Sequence, residues 1–282
     1  MDKLKNKIVV QCRRLRTKGH SFGEISSFTG IAKSTLYFYS KDIFLNAEQK
    51  QKVEVRRKAK CSSKPNPRKG RCLPGREIIK PESWSDKLVH VVAHYMFDGR
   101  IDEAGCLYYS KDKYQIDHMK SLICGMFKAR PRIQLRDNGV YGLVFYHVEF
   151  SKYIKSRQEK LFEYLNNGAP LSCKREFLKA FFDDEGNVYY SKSTRRVRGY
   201  QKSRQRLESI RDLLLLSFGI SARVNKNGTY IEIAGRENLK RFSQDINFSP
   251  KIYLNPKRKN SIWRRKISKR RLLKLSIDSY RE

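Results

Sequence analysis

An internal repeat constrains the fold of this 282-residue chain more than any other feature. The segment Ala93–Ile101 (AHYMFDGRI) aligns with Ala180–Val188 (AFFDDEGNV). Each begins with a small residue and ends with an acid, a glycine and the start of a strand, so that Asp98 matches Glu185. A repeated unit of this kind predicts two halves with one shared architecture.

Each copy predicts the order helix, hairpin, helix, hairpin, helix. Both copies contain Tyr-Tyr-Ser-Lys, at 108–111 and 189–192, and we align these segments as equivalent. A second helix follows in each copy, and then a hairpin whose turn contains glycine. The second helices, the hairpin turns and the final helices are predicted over about 114–127 and 204–217, at Asp137–Gly139 and Asn225–Gly228, and from near Glu149 and Arg236.

A nine-residue signature within the repeat resembles that of the LAGLIDADG family. The match is good at Leu178–Gly186 (LKAFFDDEG) and degenerate at Val91–Gly99 (VVAHYMFDG), where His94 departs from the usual apolar residue. The resemblance spans roughly residues 84–247 and implies an α+β fold of two pseudo-symmetric αββαββα repeats with curved antiparallel sheets. It also implies a site-specific, single-chain homing endonuclease in which Asp98 and Glu185 are the catalytic acids and metal ligands.

Physical chemistry gives a reason for this arrangement of acids. Ala93 and Ala180 allow two signature helices to pack closely, which brings their C-terminal ends together. Carboxylates there face the negative ends of both helix dipoles and repel one another, so a cation is expected between them. We predict Mg²⁺, which prefers oxygen ligands and commonly binds one or two carboxylates plus a substrate phosphate. The plainer alternative is that both acids simply precede helix-capping glycines.

The charge of the chain predicts a polyanionic partner. It has 62 Lys and Arg against 28 Asp and Glu, a formal net charge of +34. We expect double-stranded DNA to contact the strands of both repeats, because β-ribbons fit the major groove; a solvated charged hairpin is the alternative. The candidate DNA-binding residues in the repeats are Lys111, Arg130, Arg132, Arg136, Lys192, Arg195, Arg196, Arg198, Lys202, Arg223 and Lys226.

The family resemblance adds a role for some of these residues. It implies that basic residues on the strands assist catalysis near the metal. The candidates are Arg132 or Arg136 in the first copy and Arg223 or Lys226 in the second.

Residues 1–45 predict three helices. Ser21 and Glu24 stand in the spacing of a capping box, and Gly30 predicts a tight turn before the third helix. This stretch resembles the helix-turn-helix of resolvases and transposases, in which polar residues early in the second helix of the motif meet base edges. The matching residues are Lys33, Ser34 and Thr35. A small helical bundle that binds nothing is the alternative.

The remaining segments complete the predicted organisation. Residues 46–82 form a basic linker, 83–168 and 169–250 are the two repeats, and 251–282 form a basic C-terminal arm that includes a last helix. The six cysteines are scattered, which predicts reduced thiols. We find no apolar run long enough to span a membrane and no signal peptide, so an intracellular location is expected.

We therefore expect a metal-dependent DNA endonuclease that cuts both strands of a duplex. Because one chain contains both halves, it is expected to act as a monomer on a target that need not be palindromic. Two alternatives stay open at this point: a DNA-binding transcriptional regulator that does not cut, and a splicing cofactor (maturase) that binds folded intron RNA.

Overall fold

The computed structural model describes residues 2–62, 77–191, 193–254 and 266–280. The chain divides into two compact units, Met1–Leu73 and Pro74–Glu282. Lys192, part of the predicted linker and part of the predicted C-terminal arm lie outside the described residues. No helix within the described ranges is long and apolar enough to cross a membrane.

The N-terminal unit is all-helical across residues 2–62. Its small core contains Cys12, Ile25 and Leu36, each fully buried. The fourth helix is joined to the end of the first, since the Gln49 side chain donates to the Thr17 carbonyl at 3.1 Å. The helices are α1 (Asp2–Thr17), α2 (Phe22–Thr29), α3 (Lys33–Ser40) and α4 (Ala47–Ser62).

Local sequence explains the turn structure of this unit. The Ser21 side chain accepts from the backbone N–H of Glu24, whose carboxylate accepts from the Ser21 N–H, so the predicted capping box is present. Gly30 ends α2 with φ 71°, a left-handed conformation that favours glycine. Helix α2 therefore begins at the predicted capping box and ends at the predicted glycine turn.

The C-terminal unit has the predicted αββαββα order twice in its described residues, and the predicted fold class is confirmed. The first repeat consists of α5 (Asp86–Phe97), β1 (Gly99–Asp102), β2 (Gly105–Ser110), α6 (Lys113–Phe127), β3 (Arg132–Leu135), β4 (Tyr141–Phe145) and α7 (Val148–Asn166). The second consists of α8 (Leu171–Glu185), β5 (Gly186–Tyr190), β6 (Arg195–Tyr200), α9 (Arg204–Phe218), β7 (Ala222–Val224), β8 (Tyr230–Ala234) and α10 (Arg236–Arg241), which continues as a π-helical turn (Phe242–Ile246).

Each repeat contributes one antiparallel four-stranded sheet. The strand orders are β1-β2-β4-β3 and β5-β6-β8-β7, so the two sheets have the same topology. The register makes the two sheets comparable residue by residue: Gly99 pairs with Tyr108 in the first, and Gly186 pairs with Gly199 in the second. Tyr108 and Gly199 therefore occupy equivalent positions.

This register shows that our alignment of the two Tyr-Tyr-Ser-Lys segments was wrong. Tyr108 lies in β2, the second strand of its sheet, whereas Tyr189 lies in β5, the first strand of its sheet. The reason is hairpin length. The turn from β1 to β2 begins after Asp102 and ends before Gly105, while β5 is longer than β1 and is joined to β6 by a longer loop. The same letters consequently fall on non-equivalent strands.

One hydrophobic core joins the two repeats. Helices α5 and α8 pack against each other, and Ala93 and Ala180 are both fully buried, as close helix packing requires. The described part of the C-terminal arm belongs to this core. Helix α11 (Lys269–Asp278) contacts β5 and β6, and Leu272 and Leu273 are fully buried. From residue 266 to residue 280 the chain is thus folded onto the second repeat rather than extended.

Candidate active site at the paired helix ends

The two candidate acids lie at equivalent helix ends. Asp98 directly follows α5, and Glu185 is the last residue of α8. Each precedes a glycine at which the chain turns sharply into a strand. A Cβ at Gly99 would overlap the Tyr95 backbone, and one at Gly186 would overlap the Phe182 backbone. The glycines of the signature therefore permit the turn that leaves both carboxyls at the same end of the helix pair.

The electrostatics of this end are unfavourable to two ionised carboxylates. The pKa of Asp98 is raised to about 7, chiefly by loss of surrounding water and then by the nearby carboxyl of Asp184. The same loss of water, together with the nearby carboxyls of Asp98 and Asp184, raises the pKa of Glu185 to about 7. Two acids with raised pKa values at one site are a common property of functional centres.

Lys269 supplies a positive charge that sequence reasoning missed. Its side chain is buried, and its Nζ donates to the backbone carbonyls of Asp183 at 2.7 Å and Phe182 at 3.3 Å. It thereby binds the negative end of α8, and its charge lowers the pKa of both Asp98 and Glu185. A signal was present, because Lys269 precedes Leu272, Leu273 and Ser276 at helical spacing on the buried face of α11.

A buried chain of polar side chains crosses from α8 to α5. Asp184 Oδ2 lies 2.7 Å from His94 Nδ1, and His94 Nε2 lies 3.1 Å from His90 Nε2. His90 Nδ1 in turn lies 2.8 Å from a carboxylate oxygen of Glu176. Tyr108 and Gln115 donate to the other oxygen of Asp184, at 2.8 and 3.0 Å. Every member of the chain therefore has a partner, as buried polar groups require.

Burial shifts the pKa values of the two residues at the centre of this chain. It lowers the pKa of His94 to about 4 and raises the pKa of Asp184 well above its usual value. Burial therefore favours the neutral form of both residues, within a hydrogen-bonded chain that runs from Asp184 through His94 and His90 to Glu176. Glu176 stays ionised at the rim, because hydrogen bonds from His90 and Lys179 outweigh its loss of water and hold its pKa at about 2. His94, which departs from the apolar residue usual at its place in the signature, thus has a partner for both ring nitrogens.

The carboxylates at the two helix ends suit a divalent cation that takes few of its ligands from the protein. Within the described ranges no three His, Cys, Asp or Glu side chains form a metal-binding group. Asp98 and Glu185 offer two carboxylates, which leaves water and substrate phosphate to complete the coordination, as Mg²⁺ commonly has it. Their mutual repulsion is the kind of strain that a bound cation relieves.

The second sheet presents a polar face away from its helices. Val197 and Gly199 face the helices and are buried, so the alternate residues Arg196 and Arg198 lie on the opposite face. We call this face the open face of the second sheet. It comprises Tyr189, Arg196, Arg198, Tyr200, Arg223, Tyr230 and Glu232.

The predicted DNA-binding residues of the second repeat divide between two faces. Arg196 and Arg198 lie on the open face, and Arg223 occupies the edge strand β7. Arg195 lies on the other face, where its Nε donates to the Ser279 hydroxyl at 2.6 Å and its guanidinium covers the Tyr280 ring. Lys202 and Lys226 are exposed at the strand ends.

In the first repeat, Lys111, Arg130, Arg132 and Arg136 are all exposed. Arg132 pairs with Val144 and Arg223 pairs with Glu232, so these two arginines are equivalent between the sheets. Arg136 lies 4.1 Å from the Tyr109 ring centroid and donates to its hydroxyl at 2.6 Å. In the N-terminal unit, Lys33 and Ser34 are exposed and Thr35 is half-buried, all three on the first turn of α3.

Fold and site define a class: a two-repeat αββαββα protein with one acid at each of two paired helix ends. Residues 172–247, which run from α8 to the π-helical turn, match the family described as the LAGLIDADG-like domain. The resemblance stated from the signature is confirmed for this segment.

Comparison with solved structures finds similar folds. Mesophilic variants of the homing endonuclease I-DmoI match with 17% identity and a TM-score of 0.46, over 58% of this chain and 94% of that chain. The N-terminal LAGLIDADG domain of DUF199/WhiA matches with 13% identity and a TM-score of 0.44, over 61% and 88%. Full-length DUF199/WhiA from Thermatoga maritima matches with 14% identity and a TM-score of 0.45, over 61% and 59%. No curated protein sequence matches significantly.

Proposed function

We propose that this protein is a site-specific endonuclease that hydrolyses phosphodiester bonds on both strands of duplex DNA with a divalent metal. The observation that carries the proposal is the equivalent placement of Asp98 and Glu185 at paired helix ends, with the pKa of each raised to about 7. A protein that only binds DNA has no need for two carboxylates that repel one another and would also repel phosphate. The net charge of +34 supports a nucleic acid as the partner.

In this proposal Asp98 and Glu185 hold Mg²⁺. A metal bound there would supply water activation and charge stabilisation for phosphodiester hydrolysis. The chain's own residues hold the two carboxylates at the ends of α5 and α8, where Gly99 and Gly186 permit the turn. Lys269 keeps the end of α8 in place and offsets part of the negative charge.

The basic residues have separate roles in the proposal. Those on the strands hold the duplex, and Arg132, Arg136, Arg223 and Lys226 are the candidates for assisting the reaction from the sheets. Arg132 and Arg223 are favoured as a pair because they occupy equivalent strand positions. The N-terminal unit binds DNA beside the cleavage site through Lys33, Ser34 and Thr35 at the start of α3.

The test starts with the full-length protein and a library of randomised duplexes. Duplexes that bind are selected, and the selected duplex is then incubated with and without Mg²⁺. We expect double-strand cleavage only with the metal, and a footprint that covers two separate segments, one for each unit. Asp98→Asn and Glu185→Gln should each abolish double-strand cleavage while binding stays nearly unchanged.

Glu103→Gln is the matched control, because Glu103 is an exposed acid in the β1–β2 turn. It should cut like the unsubstituted protein. Full cutting by either Asp98→Asn or Glu185→Gln would overturn the assignment of these acids. Binding without any cleavage by the unsubstituted protein would instead identify a DNA-binding regulator.

A further inference from the structure

One arginine on the open face of the second sheet is held in a fixed orientation. Arg198 Nε donates to Glu232 Oε2 at 2.6 Å. Its guanidinium also lies between two aromatic rings, 5.0 Å from the centroid of Tyr189 and 4.5 Å from that of Tyr230. Only 22% of the side chain is exposed. These contacts remove the freedom that a surface arginine normally has.

Glu232 organises a second arginine as well. The same Oε2 atom accepts from Arg196 Nη1 at 2.8 Å, so one carboxylate, itself 19% exposed, holds both side chains. Hydrogen bonds donated by both arginines lower the pKa of Glu232 and keep it ionised, although burial alone would raise that pKa. The pair of arginines is thus ordered before any ligand arrives, which lowers the entropy cost of binding.

The remaining donors of Arg198 point to one kind of ligand. A guanidinium carries five N–H donors in a planar fork. Glu232 takes the Nε–H, and the Tyr200 hydroxyl also bonds the guanidinium, which leaves terminal N–H groups for a ligand in front of the sheet. A planar edge with two acceptors matches this fork, and the guanine edge in the major groove offers O6 and N7 in that arrangement. Phosphates suit the exposed residues Lys202, Arg223 and Lys226 better, since they need charge more than fixed orientation.

We propose that Arg198 reads a guanine in the major groove of the DNA target and that Glu232 is the residue that positions it. The inference rests on the proposed function, because it requires duplex DNA on the open face of the second sheet. It goes beyond that function by naming a base and the side chain that recognises it.

The first repeat has no equivalent of the Arg198–Glu232 pair. By strand register, the residue preceding Gly199 on β6 is Arg198, and the residue preceding the equivalent Tyr108 on β2 is Leu107. The cross-strand partner of Arg198 is Glu232, whereas that of Leu107 is Val144. Leu107 and Val144 carry no side-chain donors. The guanine requirement is therefore expected in one half of the target only.

Selection from the randomised duplex library tests this inference with the full-length protein. We expect one guanine to be strongly preferred in one half-site, without a matching requirement at the symmetry-related position. Arg198→Lys loses the bidentate fork but keeps the charge, and should lower the preference for that guanine over other bases by about 5- to 100-fold. Glu232→Gln should weaken the preference at the same position, because the guanidinium is no longer held.

Arg206→Lys is the matched control, since Arg206 is an exposed arginine on helix α9 rather than on the sheet. It should leave the selected sequence unchanged. Thermal melting of each variant checks the fold, and Glu232→Gln provides the readout if Arg198→Lys fails to fold. An unchanged motif in a folded variant would overturn the inference, and so would an equal loss of affinity for all sequences, which marks a phosphate contact. If the unsubstituted protein selects no duplex, the proposed function itself fails.

Discussion

The two repeats share their backbone plan but differ where they touch. In each repeat, the residue before the acid reaches across to the other repeat. Phe97 crosses to Phe181 and Phe177, with ring centroids 5.1 and 5.7 Å apart, and makes an apolar contact. Its equivalent, Asp184, crosses to His94, which occupies the place of Phe181 in the first repeat. One crossing contact is hydrophobic and the other is a hydrogen bond.

The strand residues that contact His94 and Phe181 also differ between the repeats. In the second repeat the Phe181 ring fills the space over Gly199, where an added Cβ would overlap it. In the first repeat the equivalent of Gly199 is Tyr108, whose hydroxyl donates to Asp184. The pair Phe181 and Gly199 in the second repeat is thus replaced by His94 and Tyr108 in the first. Such an exchange requires that side-chain volume and polar partners change together. Identical subunits of a symmetric dimer could not diverge in this way.

The largest difference is expected when the equivalent residues Asp184 and Phe97 are each replaced by leucine. Asp184→Leu removes the buried carboxyl that His94, Tyr108 and Gln115 share as a partner, and should cost about 3–5 kcal/mol of unfolding free energy. Phe97→Leu keeps an apolar contact and should cost less than about 1.5 kcal/mol. Urea unfolding of the full-length protein measures both. Equal costs would mean that the polar crossing contact has no special role.

A smaller effect is expected where glycine makes room for a ring. Gly199→Ala forces the fully buried Phe181 to move, and should destabilise the protein by about 1–3 kcal/mol. Gly125→Ala is the control, because Gly125 lies exposed in α6 with open space around it. That change should stabilise the protein by about 0.5–1 kcal/mol, as alanine favours helix. A neutral Gly199→Ala would show that the second repeat does not require glycine beneath Phe181.

The smallest effect concerns pH in the absence of divalent metal. Because the pKa of Asp98 is raised to about 7 in the folded protein, the folded state holds this proton more tightly than the unfolded state. The associated stability is present at acid pH and is lost as pH rises through about 7. Asp98→Asn removes that loss and should stabilise the metal-free protein at about pH 8 by at most about 1 kcal/mol, since water screens the partly exposed group.

Melting in the presence of a chelator, at about pH 4 and about pH 8, checks this expectation. The stabilisation by Asp98→Asn should disappear at the lower pH, where the unsubstituted carboxyl is largely protonated. Glu103→Gln, at an exposed position in the β1–β2 turn, is the control for the substitution. A destabilised Asp98→Asn at the higher pH would mean that Asp98 is not under repulsion.

Much of the fold could be predicted from the sequence because the relevant signals are local. Helix and strand periods, the Ser21–Glu24 capping box and the glycines after Asp98 and Glu185 each depend on residues a few positions apart. Repetition of the whole pattern then predicted two equivalent halves. The positions of both acids could be predicted for the same reason. Each directly precedes a glycine that ends a helix, so its place at the helix end follows from local sequence.

Tertiary structure alone decided which residues meet. The two Tyr-Tyr-Ser-Lys segments fall on different strands because hairpin lengths differ, and Arg195 faces α11 while Arg198 faces the open side, because successive residues of a strand alternate between faces. Lys269 reaches the end of α8 only because α11 folds onto the second sheet. The Asp184–His94 contact joins residues from different repeats. Sequence determines local conformation, whereas these contacts depend on how packed elements bring distant residues together.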